Sequence, residues 1–183
     1  MNKTDVVRIN IQKLTHLMRS NNAPEWLQDE LCTLTKYSFS DSEWLENATY
    51  QELSNGYFVG EFHANGKRNG KGMYVWNDGD IYLGGYYQGN EHGAGLYYSA
   101  QKTLIYFSND WKDGEKNGYG CVWGPGYESQ GYYQNDREIR NDYVKNGSGY
   151  HPNVPVNNDN DGFSFIGCLV IIIIGILVWW IIF

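Results

Sequence analysis

Four histidines, His16, His63, His92 and His151, are the side chains best suited to proton transfer or metal ligation near neutral pH. No two stand at the spacing of a zinc site, and none neighbours a nucleophile in a Ser–His or Cys–His arrangement. Glu91-His92 is the pair that most suggests acid–base chemistry. His92, however, shares a slot with Asn69 and Asn117, each just before a glycine, and a side chain that bonds turn backbone accounts for that slot. The carboxylate pairs Asp78/Asp80 and Asp110/Asp113 flank glycine-rich turns and read as solvated faces. The glycine-rich stretches lack the strand–loop–helix context of a phosphate cradle. Cys32, Cys121 and Cys168 are too few and too scattered for a disulfide framework or a zinc site, and read as reduced, buried thiols. The expectation is therefore no catalytic residue, no metal and no cofactor.

Binding chemistry is the alternative. Lys and Arg number 14 against 21 Asp and Glu, a net charge of −7, which argues against nucleic acid as a partner. Lys67, Arg68 and Lys71 form the basic cluster of the central region, whose residues 56–140 hold 8 Lys/Arg and 10 Asp/Glu. Attraction to an anionic membrane is worth about 1 kcal/mol per basic residue, so the cluster reads first as a solvated turn and second as a weak lipid contact. Aromatic residues offer more. Tyr57, Tyr87, Tyr98, Trp123 and Tyr133 are expected to alternate away from the core, where Tyr and Trp make good hot spots for a protein partner.

These residues sit on a repeat. The segments beginning at Phe58, Tyr82 and Phe107 each run through an aromatic residue (Phe62, Tyr86, Trp111) to a glycine triplet, 66/70/72, 89/93/95 and 114/118/120. The triplets recur at spacings of 23 and 25, and a partial fourth copy starts at Gly131. Such a period means stacked supersecondary units. Within each unit two alternating runs are joined by glycine turns. Phe58, Gly60 and Phe62 fall on one face of a strand, and Gly72, Tyr74 and Trp76 on one face of the next. Asn65-Gly66 and Asp78-Gly79 supply the positive φ that hairpins need. The prediction is a mainly β protein: tandem antiparallel hairpins forming a meander or rod with a core of stacked aromatics.

The aromatic-x-Gly-x-aromatic run followed by Gly-x-x-x-Gly-x-Gly resembles the MORN repeat (membrane occupation and recognition nexus). Residues 58–80 and 82–100 resemble it closely, residues 107–126 with Asn109 in place of the first glycine, and 128–137 in part. The resemblance implies consecutive hairpins and no single activity, because similar repeats serve as scaffolds, dimerisers and membrane-associated modules.

The first 55 residues read as a short helical region. Val7, Ile11, Leu14 and Met18 keep helical spacing behind a cap at Thr4 or Asp5. Pro24-Glu25 opens a second helix carrying Leu27, Leu31 and Leu34. Ser40–Glu43 opens a third with Trp44, Leu45 and Ala48, stopped by Asn55-Gly56. They are expected to pack on the first hairpin and cap the open sheet edge.

The repeats span 56–140, followed by a flexible stalk at 141–162 and a transmembrane helix at 163–183. Residues 163–183 hold one polar side chain, Ser164, and 21 residues of helix span about 31 Å. Trp179 and Trp180 suit a membrane interface. The N-terminal residues lack the apolar core of a signal peptide, so the expected topology is a tail-anchored, single-pass protein with a cytosolic head. Three functions follow: an adaptor whose repeats bind a cytosolic protein, a membrane–membrane tether whose repeats bind anionic lipid, or a small single-span effector. In the last, Gly167 and Gly175 would line a helix face for homo-oligomers.

Overall fold

The computed structural model describes residues 2–35 and 42–146. Helices α1 (Lys3–Ser20), α2 (Glu25–Leu34) and α3 (Ser42–Asn47) precede nine strands. These are β1 (Thr49–Leu53), β2 (Gly56–Phe62), β3 (Arg68–Trp76), β4 (Ile81–Tyr87), β5 (Asn90–Ser99), β6 (Leu104–Lys112), β7 (Glu115–Gly124), β8 (Tyr127–Gln134) and β9 (Arg137–Asn146). They pair in sequence order, each antiparallel to the next, as the hairpin reading requires.

Two boundaries differ from expectation. The third helix ends at Asn47, and Thr49–Leu53 joins the sheet as its first strand rather than continuing helical to residue 55. Residues 141–146, expected in the stalk, complete β9. The remaining stalk and the 163–183 segment, with Trp179, Trp180, Gly167, Gly175 and Cys168, lie outside the described residues. Among the described residues no helix is long and apolar enough to cross a membrane.

The helices follow their apolar spacing. Val6, Val7, Leu14 and Met18 of α1 are buried, with Leu27, Leu31 and Leu34 of α2. The cap of α1 is Asn2, upstream of the expected Thr4 or Asp5, and its side chain accepts from the Asp5 amide at 2.8 Å.

The helices cover a sheet face, not an edge. They share one apolar cluster with Val59, Met73, Val75, Ile81, Leu83, Leu96, Ile105, Phe107, Cys121 and Trp123, drawn from six consecutive strands. Asn10 Nδ2 donates to the Tyr57 hydroxyl at 3.0 Å, and Lys13 Nζ lies 5.4 Å from the Tyr98 ring. The opposite face carries a second cluster: Phe58, Tyr74, Tyr82, Tyr86 and Trp111. The expected aromatic core is therefore half of the interior. The other half is mainly aliphatic, with Tyr98, Phe107 and Trp123 among it, because period-2 alternation sends apolar residues to both faces and a layer of helices takes up one of them. Cys121 is buried on the helix-covered face while Cys32 is exposed, so the buried-thiol expectation fails for Cys32.

Candidate functional site

The face without helices is organised by glycine. Gly60, Gly72, Gly84, Gly95, Ser108, Gly120 and Gly131 stand opposite one another, strand after strand, in one row across the sheet. The Phe58 ring lies on this row. A Cβ at Gly60 or Gly72 would come within 2.3 or 2.5 Å of it. Tyr82 lies one repeat further on, and a Cβ at Gly84 or Gly95 would meet its hydroxyl at 2.6 or 2.3 Å. Glycine is needed here because a ring packs flat on the backbone, not for its φ freedom.

In the third repeat the seat is lost. Ser108, not Asn109, occupies the glycine row, so Tyr106 and not Phe107 is the counterpart of Phe58 and Tyr82. The sequence alignment slips because one extra residue lies between Ser108 and Trp111, where the ladder to β7 is irregular. With a side chain on the row, Tyr106 does not lie flat there. It stands against Tyr97 with centroids 5.8 Å apart, and Tyr97 in turn meets Trp76 at 5.9 Å.

These rings border a groove of about 660 Å³, lined among others by Trp76, Tyr82, Tyr97, Tyr106 and Trp111, with Asp80, Glu91, Lys102, Lys116 and Asp136. The polar ends of Tyr82, Tyr97 and Trp111 are tied down. Tyr82 donates to the Gly85 carbonyl at 3.1 Å and Trp111 Nε1 to the Gly95 carbonyl at 2.9 Å. The Tyr97 hydroxyl donates to Asp80, whose other oxygen accepts from the Ala100 amide at 2.7 Å. Burial, and then the bond to Asp80, push the Tyr97 phenol above its usual range. Lys116 is buried between Tyr106 and Tyr133, and burial lowers its amine below the usual lysine range.

The five partner-binding candidates fare unequally. Tyr87 is 53% exposed. Tyr57 is half-buried and bonded to α1. Tyr98 and Trp123 are buried under the helices, and Tyr133 is buried beside Lys116. Tyr87 is exposed as expected, whereas the other four are not: the parity that includes Tyr57, Tyr98 and Trp123 faces the helices, and Tyr133 is buried on the other face. For the same reason the groove aromatics stand on the face from which the alternation expected core.

The basic cluster also changes. Arg68 lies over Phe58, Tyr74 and Tyr86 and donates to the Gly89 carbonyl at 2.8 Å, so its charge is committed within the sheet. Lys67 is exposed and Lys71 half-buried. His92 departs from its expected role: its Nδ1 is buried without a hydrogen-bond partner and its ring lies 5.4 Å from Tyr87. Asn117 does bond turn backbone, donating to the Glu115 carbonyl and accepting from the Asn135 amide, both at 3.2 Å. Among the described residues no cluster of His, Cys, Asp and Glu could hold a metal ion.

The hairpin unit and the glycine row recur through the sheet, with rings seated on the row in the first two repeats, and residues 58–81 and 110–127 match the MORN repeat family. The chain carries MORN repeats. Three larger proteins are similar over this part. ALS2 C-terminal-like protein of Homo sapiens is 31% identical over 107 residues, 56% of this chain and 10% of that protein. The Mus musculus protein of the same name is 33% identical over 107 residues, with the same coverage. Alsin of Rattus norvegicus is 28% identical over 116 residues, 61% of this chain and 6% of alsin. The chain thus spans a tenth or less of the curated relatives it matches. The MORN repeats are what the similarity supports.

Proposed function

We propose that the chain is a non-enzymatic scaffold whose MORN sheet binds a protein partner through its aromatic face, held at a membrane by residues 163–183. The observation that carries this reading is the asymmetry of the sheet. Helices cover one face, while the other presents a ring-lined groove with fixed polar ends. Rigid aromatic surface beside a few charges suits protein recognition. The anchor rests on the 21-residue apolar segment with its single polar side chain.

A photo-crosslinking residue at Tyr106, in the groove, is expected to trap a protein partner in cells. The same residue at Ile9, exposed on α1, is expected to trap none. Equal trapping at both positions, or none at either, refutes recognition through this face. Alkaline carbonate washing should leave the full chain in the membrane pellet and release a chain ending at Gly162. Release of both refutes the anchor. The lipid-tether reading is less favoured, because Arg68 is spent on three rings and a carbonyl.

A further inference from the structure

The repeats set the same charged position beside aromatic rings three times, with three rings in the first two repeats and two in the third, where Val122 stands opposite Tyr106. Backbone bonding establishes the equivalence. The Arg68 carbonyl accepts from the Gly89 amide at 2.9 Å, the Glu91 carbonyl from Gly114 at 3.1 Å, and the Lys116 carbonyl from Asp136 at 3.0 Å. In each repeat this residue stands two before a glycine of positive φ: Gly70, Gly93 and Gly118.

In the first repeat the position is a cation on rings. The Arg68 guanidinium lies 5.6, 5.1 and 5.1 Å from the centroids of Phe58, Tyr74 and Tyr86. In the third repeat it is again a cation, with the Lys116 ammonium 4.8 Å from the Tyr106 ring and 4.3 Å from Tyr133. The middle repeat keeps the rings. Tyr82, Tyr97 and Trp111 are the counterparts of Phe58, Tyr74 and Tyr86, by register and by place in the repeat. The residue beside them is Glu91. Its half-buried carboxylate makes no hydrogen bond or ion pair among the described residues.

Tyr82 is fully buried here and Trp111 nearly so, which leaves the half-buried Tyr97 as the accessible ring, with all three polar ends occupied and the Glu91 carboxylate alongside. That combination attracts a cation and repels an anion. The two other acids on the groove are already engaged: Asp80 by Tyr97 and Ala100, and Asp136 by the Lys116 amide at 2.8 Å. Lys116 is held between its own two rings, and Lys102, the other cation on the groove, is exposed and makes no ion pair with Glu91 among the described residues, which leaves Glu91 as the acid in need of charge. Gly114, at the tip of the next hairpin, also lines the groove and corresponds to Gly89, whose carbonyl accepts from Arg68. A planar guanidinium fits rings, carboxylate and carbonyl together better than a compact ammonium.

We propose that the groove takes an arginine side chain from the partner protein, stacked on the half-buried Tyr97 ring and against the accessible edge of Trp111, above the buried Tyr82, with Glu91 as its counter-ion. The partner supplies in trans the cation that the neighbouring repeats supply from their own chain. The proposal rests on the reading of the repeats as a protein-binding scaffold.

The test uses the full chain in neutral detergent, with indole ¹⁵N labelling of tryptophan and a hexa-arginine peptide as probe. The peptide should shift the Trp111 and Trp76 indole signals saturably, and a hexa-citrulline peptide should bind at least about tenfold more weakly. Glu91→Gln should weaken arginine binding about five- to tenfold. Glu91→Arg, which installs the in-chain cation of the neighbouring repeats, should abolish binding with an unchanged or higher melting temperature. If Glu91→Arg fails to fold, Glu91→Gln decides. Equal binding of citrulline, unchanged binding to Glu91→Gln, or binding that leaves Trp111 undisturbed overturns the proposal. If Tyr106 crosslinks a partner whose binding is indifferent to Glu91→Gln, the scaffold reading stands and the arginine site falls.

Discussion

Glycine serves two distinct physical needs in this chain, and substitution separates them. At Gly95 the need is space, because the Tyr82 hydroxyl lies 2.3 Å from where a Cβ would stand. At Gly66 the need is conformation: φ is +77° and nothing lies within 4 Å of a Cβ. Gly95→Ala should cost about 1–3 kcal/mol by overpacking, and Gly66→Ala about 1 kcal/mol by backbone strain. Asparagine tolerates the left-handed region, so Gly66→Asn should recover part of the loss while Gly95→Asn should be worse than Gly95→Ala. Urea denaturation of the four variants checks this. Gly66→Asn as destabilising as Gly66→Ala, or Gly95→Ala as stable as the parent, contradicts it. The glycine triplets are visible in the sequence as a repeat, but their separate duties are not. Ser108 in the glycine row is hidden by the extra residue before Trp111, which shifts an alignment by one and exchanges the two faces.

At the scale of elements, α1 and α2 are a lid for one sheet face, and their stability contribution comes from that contact. Leu14 and Met18 are fully buried against the sheet layer, whereas Ile9 is 47% exposed. Leu14→Ala and Met18→Ala should each cost about 2–5 kcal/mol. Ile9→Ala should change stability by less than about 0.5 kcal/mol. Chemical denaturation gives the comparison, and a Leu14→Ala cost no larger than that of Ile9→Ala would show that the helices do not pack as described. Helix existence is legible from apolar spacing, and so are the strands from alternation. The third helix is shorter than its sequence suggests, and the reason is β1: Thr49–Leu53 is short and exposed along most of its length, with no buried alternation to mark a strand.

For the whole molecule, the large number of buried phenols sets an alkaline limit. Burial pushes Tyr82 and Tyr86 well above the ordinary tyrosine range, and Tyr97 and Tyr133 are raised mainly by the same cause. A raised folded-state value contributes stability that is complete below the unfolded phenol's pKa of about 10 and is lost as pH rises through the folded value. The melting temperature should therefore hold to about pH 10 and then fall with a slope of several protons. Lys116, lowered by burial, acts in the opposite sense: the folded state releases its proton first, so stability rises with pH below the ordinary lysine value. One amine cannot offset several phenols. Melting curves between about pH 8 and 11, with phenolate absorbance followed at equilibrium, test this. Full phenolate formation in a chain still folded would contradict it.

The repeat period, the glycine triplets and the alternation determine tandem antiparallel hairpins from the sequence alone, because a tight turn followed by a period-2 run has few other solutions. The apolar spacing of the first residues determines helices in the same local way. Which face those helices cover is not local information. Both faces of β2–β7 carry apolar residues, one mainly aliphatic and one aromatic, and a helix stripe is complementary to either. Tertiary packing decided the matter by shape. The rings fill their own face by lying on the glycine row, so the aliphatic face is the one left needing cover. That choice buried Tyr98 and Trp123, and it left Tyr97, Trp76 and Tyr106 around the groove.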